Sequence, residues 1–520
     1  MRWIALVPWC FLAGVALAIN AAAHAQGAER RIRIERWVTW CALPLSTLTF
    51  RTLMVPAAFF HQNGQGPMWE RACAPGSTWN YGPGFTEMFC GFTAYSHPWR
   101  MHAVFAAQAI LASTAPASAA TIVRALGGGL PLAAVAALTV LVDPALARVS
   151  RSESYFSTIA ALLFLAAATL VSNARPPRGG GQRANVGAVA AGLLAAQAMR
   201  LHPYAWSAAP LVGLALFAVE MPDRTTFRAQ VRTFALFAAT AGVAAASWIY
   251  TALHGSRAGT WLPQVPQAVL FGRDAATRAG LVLLVLAIFV PSASRYGRVR
   301  IALFAAAVAV SLTTRMQFAR VIPAVDRAYD WLFAPTLLPF AVALLRDYRL
   351  PRAVAGALAG CLALAVLVAA RQNWRAQTVL CTDVREQALF ERWATGTGLQ
   401  GTVLYLGRWG FRSLDLPIPS GPGVRLRVVN LQADDPLDTP LAIARGEGPI
   451  YYLHSSLCST DRGSATCEAL ERCLVRAPLA FADLPAIPSM YGPDDGYNSP
   501  AVHLSFERVT GVAARAGTCP

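Results

Sequence analysis

Apolar runs long enough to cross a bilayer recur through the first 370 residues, at 37–60, 100–120, 128–147, 154–173, 185–200, 204–220, 233–253, 279–292, 299–314, 328–346 and 352–370. About 20 apolar residues in a helix match the hydrocarbon core, and a helix satisfies its own backbone hydrogen bonds where no water can. The expected fold is therefore mainly α, a polytopic helical membrane protein of about 11–12 spans. With 14% charged residues and a mean hydropathy of +0.43, the chain lies outside the range of soluble proteins of this size. A further run at 3–24 ends in AAAHAQ; it reads as a signal peptide with a small-residue cleavage site, as an extra span, or as residues ahead of the true start.

The sequence contains no lysine, so its formal charge of +17 is carried by arginine. With abundant alanine, this suggests a GC-rich bacterial source. Many arginines sit in short loops: Arg175, Arg178 and Arg183; Arg224, Arg228 and Arg232; Arg295, Arg298 and Arg300; Arg346, Arg349 and Arg352. These clusters occupy alternate loops, which the positive-inside rule marks as cytoplasmic. The charge thus has a topological explanation and is not a nucleic-acid footprint. Segments 61–98, 143–153, 200–204, 254–278, 315–330 and everything after 370 then face outward. The expected location is a bacterial cytoplasmic (inner) membrane, with the C-terminal region on its periplasmic face. The N-terminus admits two arrangements. If 37–60 runs outward, ERRIRIERW ahead of it is cytoplasmic; if 3–24 is the first span, 37–60 lies along the outer surface.

Two domains are expected, a transmembrane domain at 1–370 and an extracytoplasmic domain at 371–520, where Asp, Glu, Pro and Gly become more frequent. Strand-like runs at 402–406, 424–429, 449–453 and 501–506, with a short helix at 466–472, predict a small α+β fold. Cys10, Cys41 and Cys361 lie in apolar runs and read as packing residues. The other cysteines fall outside the spans, as an oxidising compartment allows. Cys73 is expected to bond Cys90 in the first loop, and at least one bond is expected among Cys458, Cys467 and Cys473. The tail cysteines lack the paired spacing of a zinc site.

The stretch 61–98 is the longest polar break in the first two-thirds of the chain, and long loops of this kind usually serve a site. It offers His61, Glu70 and Glu87. The 143–153 loop adds Arg148, Arg151 and Glu153, while Arg200 and Arg315 stand at other outward span ends. A carboxylate can take a proton from an acceptor hydroxyl, and arginine grips a phosphate with two parallel hydrogen bonds. Together they suit transfer from a phosphate-linked lipid: Glu87, Glu70, Glu153 or His61 as base, and Arg148, Arg151, Arg200 or Arg315 on the phosphate. Each also has a plainer reading, as a solvated pair, an interfacial anchor or a span-end residue. A divalent metal is compatible with the carboxylates, but no cofactor or metal can be inferred.

In layout the chain resembles the GT-C superfamily of membrane glycosyltransferases, which includes protein O-mannosyltransferases and bacterial aminoarabinose transferases. The resemblance rests on a large first outside loop opening with HQNGQGP, a second outside loop at RVSRSESYF, and a C-terminal outside domain. It implies transfer of a sugar from a polyprenyl-phosphate donor on the outer face of the membrane, with membrane lipid and the lipid-linked sugar as partners. The family usually carries an Asp or Asp-x-Glu early in the first loop; here that place reads His61-Gln62-Asn63, and the loop has no Asp. An inactive GT-C-like scaffold and a transporter are the competing readings; scarce mid-span charge and unlike halves disfavour the transporter.

Overall fold

The structure is a computed structural model and describes residues 28–54, 82–84, 100–143, 146–147, 150, 156–174, 181–202, 205–220, 224–254, 299, 302–303, 305–306, 323–347, most of 351–368, 382–409, 412–413, 423–432, 436–459, 461–485 and 501–513. The chain divides into a helical unit ending at Trp374 and a C-terminal unit that takes over at Arg375.

In the helical unit, α1 (Ala28–Trp37) continues through a π-helical turn (Val38–Ala42) into α2 (Leu43–Met54). Then come α3 (Arg100–Ala112), α4 (Ala115–Ala125), α5 (Leu130–Val142), α6 (Phe156–Asn173) and α7 (Gly181–Leu201). After them lie α8 (Ala205–Leu214), which tightens into a 3-10 turn at Ala215–Ala218, α9 (Arg224–His254) and α10 (Pro323–Asp347). Among the described residues, four helical stretches are long and apolar enough to cross a membrane: Ala106–Ala125, Phe156–Asn173, Gln182–Leu201 and Thr225–Tyr250. Four shorter apolar helices accompany them. The protein is thus a mostly helical membrane-type chain with a small sheet domain at its C-terminus.

Helix α6 is the centre of this unit. It has no charged residue, 78% of its span is buried, and it packs against α3, α4, α7, α8 and α10. A helix apolar all round must be covered by protein or lipid, and here protein does most of it. By contrast α9 has only 22% of its span buried and leaves Val231, Val243 and Tyr250 exposed, an apolar surface of the kind that lipid covers. Small residues let the helices approach. A Cβ at Gly192 of α7 would come within 2.8 Å of the Phe237 carbonyl oxygen of α9. Cys41 and Cys361 are free and exposed rather than packed inside.

The C-terminal unit opens with α11 (Thr382–Thr397), followed by β1 (Gln400–Trp409), β2 (Arg412–Ser413), β3 (Arg425–Gln432) and α12 (Asp438–Ala444). It ends with β4 (Ile450–His454), α13 (Asp461–Cys473), β5 (Leu474–Leu484) and β6 (Val502–Val512). β1 is central and parallel to both β3 and β4, with Val403 opposite Val428 on one side and Tyr451 on the other. β6 then runs antiparallel between β4 and β5. Buried on both faces, β1 and β4 read as apolar runs, Val403–Leu406 and Ile450–Leu453. Phe390 of α11 meets Phe506 edge-on at 5.7 Å, and Trp393 stacks on the same ring at 6.2 Å. A disulfide joins Cys458 to Cys467, as expected for this cysteine group, and Cys473 is disulfide-bonded as well.

Candidate functional site

The helical unit has two chemically distinct ends. At one, Arg124 pairs with Glu35 and donates to the Gly128 carbonyl at 2.7 Å. Arg183 Nε donates to Asn173 Oδ1 at 3.1 Å, and Arg346 reaches the carbonyls of Leu126 (3.1 Å) and Ala218 (3.4 Å). Arginines of alternate loops therefore gather at the same end. Glu35 lies at this end while Arg51 contacts the far end of α5, so the continuous helix 28–54 runs from one end to the other. Of the two arrangements open for the N-terminal region, this helix fits the one in which 37–60 runs outward.

At the opposite end, the first-loop residues Gly82, Pro83 and Gly84 lie on the C-terminus of α7. Gly82 has a φ of +147°, and a Cβ there would stand 1.8 Å from the Arg200 carbonyl oxygen. Only glycine fits both the conformation and the space. Gln197 Nε2 donates to the Gly84 carbonyl at 3.4 Å. Arg200 Nη1 donates to the Ala244 carbonyl of α9 at 3.0 Å. The Trp206 and Trp248 rings meet edge-on at 6.1 Å, and Trp206 Nε1 donates to the Met199 carbonyl at 3.0 Å. The indole N–H of Trp248 is buried beside Gly82 and has no acceptor among the described residues. A buried donor without a partner costs about 1–3 kcal/mol, so its presence asks for a ligand or water.

Two further polar groups are built into this end. His202, which follows α7, is buried against the Phe156 ring at 5.5 Å. Arg51 is buried, 2% exposed, with Nη2 on the Val140 carbonyl at 2.7 Å and Nη1 on the Ala112 carbonyl at 3.3 Å. Both carbonyls lack helical partners. Pro116 has no N–H to give Ala112, and Val140 lies in the last turn of α5. Asp143, whose Oδ1 accepts the Leu146 N–H at 2.7 Å, adds a favourable charge to Arg51. Arg51 thus ties α2, the break between α3 and α4, and the start of the 143–153 loop together. Its sequence signal was a lone charge within an apolar run.

Of the residues singled out from the sequence, Arg200 is described and lies against the first loop. His61, Glu70, Glu87, Glu153, Arg148, Arg151, Arg315, Cys73 and Cys90 lie outside the described residues. Among the described residues, no group of His, Cys, Asp or Glu side chains could hold a metal ion. Arg51 and Trp248 join the set of residues of interest at this end.

No family model and no curated protein matches the chain. Among solved structures it is similar to the arabinofuranosyltransferase AftD from mycobacteria, at 15% identity and a TM-score of 0.41. The match covers 93% of this chain and 42% of that one, so the chain spans less than half the length of AftD. At that score the likeness assigns nothing to particular residues.

Proposed function

We propose that the chain is a membrane glycosyltransferase of the GT-C kind, moving a sugar from a polyprenyl-phosphate donor to an acceptor at the end of the bundle away from the arginine-bearing loops. The observation that supports this reading is that Arg200 and the buried Trp248 N–H, which has no acceptor among the described residues, both lie beside the first-loop residues Gly82–Gly84. Donors at a span end, beside Gly82–Gly84, suit a lipid phosphate at headgroup depth. Arg200 and Trp248 hold the phosphate as it leaves; Arg148, Arg151 and Arg315 are the remaining cations for it. Glu87, Glu70 or Glu153 takes the acceptor proton, with His61 as the alternative. The 371–520 domain is assigned to the periplasmic side from the arginine distribution of the loops alone.

The test is consumption of undecaprenyl-phosphate hexose and pentose donors by the purified protein in proteoliposomes. Trp248→Phe keeps the ring and removes the N–H. A hydrogen bond to a charged oxygen is worth roughly 1.5–3 kcal/mol, so this variant is expected to turn over about 10- to 100-fold more slowly. Its thermal stability should be unchanged or raised, because a buried orphan donor has gone. Full turnover by Trp248→Phe would remove Trp248 from the site. No turnover of any donor by the unmodified protein would favour the inactive scaffold, and the missing first-loop Asp would then explain the loss.

A further inference from the structure

At the arginine-bearing end, far from the site above, a groove of about 380 Å³ opens between α6 and α7. Asn173 and Arg183 form its polar mouth with Gln182, and Val186, Gly187 and Ala190 form its floor. The mouth is held in place across the two helices. Asn173 Nδ2 donates to the Thr169 carbonyl at 2.7 Å, which leaves Oδ1 turned to receive Arg183 Nε. Both Nη groups of Arg183 remain without a protein acceptor among the described residues. Gly187 permits the close crossing, since a Cβ there would meet Asn173 Cβ at 2.5 Å.

Next to the mouth, α7 carries a stripe of exposed apolar residues, Val186 (63%), Val189 (38%) and Leu193 (52%). Arg183 is one residue into the candidate span Gln182–Leu201, and Asn173 is the last residue of Phe156–Asn173. The mouth therefore lies at headgroup depth and the stripe at acyl-chain depth. Its charge is uniformly positive in sequence. Arg175 and Arg178 precede Arg183 in the same loop, and no Asp or Glu occurs between Glu153 and Glu220.

We propose that this groove binds an anionic glycerophospholipid, with its phosphate on Arg183 and Gln182 and an acyl chain along Val186, Val189 and Leu193. Asn173 is the positioning residue that aims the guanidinium. The complementarity is that of a juxtamembrane basic site, where each arginine contributes about 1 kcal/mol toward an anionic headgroup. The proposal does not depend on the transferase reading.

Native mass spectrometry of the full chain, released from bilayers of phosphatidylglycerol and phosphatidylcholine, tests it. The unmodified protein should retain phosphatidylglycerol in preference to phosphatidylcholine. Arg183→Gln should lower that preference about fivefold, the weight of one such arginine. Ala190→Phe fills the floor without changing charge and should also shed the lipid. Arg228→Gln, an exposed arginine on α9 outside the groove lining, should keep it. Phosphatidylglycerol retained by Arg183→Gln as well as by Arg228→Gln overturns the proposal. So does retention by an Ala190→Phe protein that melts like the unmodified one. Should Ala190→Phe fail to fold, the exposed Arg183 position still decides.

Discussion

Arg51 shows how far a single residue can be read. Its charge stood out within the run 37–60, but its partners are backbone carbonyls 61 and 89 positions away, freed by a proline and by a helix end. No side-chain pattern announces such acceptors, so the sequence shows the charge without its role. Replacing it should act on stability before activity. Arg51→Met keeps the apolar stem and leaves the Ala112 and Val140 carbonyls without their donor. Each stranded buried group costs about 1–3 kcal/mol. A clearly lower melting temperature in detergent is expected, measured by the thermal unfolding of the purified protein. An unchanged melting temperature would show that Arg51 does not clamp these helices. Trp248 was less legible still, because an aromatic at a span end ordinarily reads as part of the interfacial belt. The first-loop carboxylates remain sequence expectations, as they lie outside the described residues.

At the scale of elements, the C-terminal sheet was legible where strands are buried and apolar. The runs 402–406, 424–429, 449–453 and 501–506 fall within or beside β1, β3, β4 and β6, and 466–472 falls within α13. β5 was missed because it carries Pro478 and two register shifts, the features of an edge strand that lacks a clean alternation. Missing it concealed a polar cluster that depends on it. Glu471 of α13 accepts from Tyr452 Oη at 2.9 Å and pairs with His454 Nδ1 at 2.6 Å; Arg476 of β5 lies 3.5 Å away and also pairs with Glu507. Burial raises the Glu471 carboxyl, but the hydrogen bond and charge of His454, then Arg476 and Tyr452, outweigh it and hold the group below the ordinary carboxylate value of 4.5. A depressed carboxylate contributes stability above its unfolded value and loses it as pH falls through the folded value. Stability of the unmodified chain should therefore fall as pH drops below about 4.5, and Glu471→Gln should flatten that part of the curve. Denaturant midpoints measured across the acid range check this; parallel curves for the two proteins would show that Glu471 carries none of the acid sensitivity.

For the whole molecule, hydropathy located the four helices that are long and apolar enough to cross a membrane among the described residues, because a bilayer demands length and apolarity of each one separately. Their packing order could not, since an apolar run does not say whether protein or lipid covers it; α6 and α9 read alike and end with very different burial. Orientation rests on a separate physical argument. Glu35–Arg124, Arg183 and Arg346 meet at one end, and the sequence adds Arg30, Arg33 and Arg36 just ahead of Val38. Moving such a set of arginines across the membrane is costly, so that end is expected to stay in the cytoplasm. Gly82–Gly84, Arg200 and Trp248 are then expected to face the periplasm. The last apolar run, 352–370, begins beside Arg346, Arg349 and Arg352 and is expected to cross outward, so residues after 370 are expected outside, as is the first loop. An alkaline phosphatase reporter, active only when exported, should be active when fused after residue 400 and silent when fused near Arg178. The reverse pattern would place the arginine-bearing end outside. It would also move the proposed donor site to the cytoplasmic face, where a polyprenyl-phosphate sugar presented on the outer leaflet could not reach Arg200.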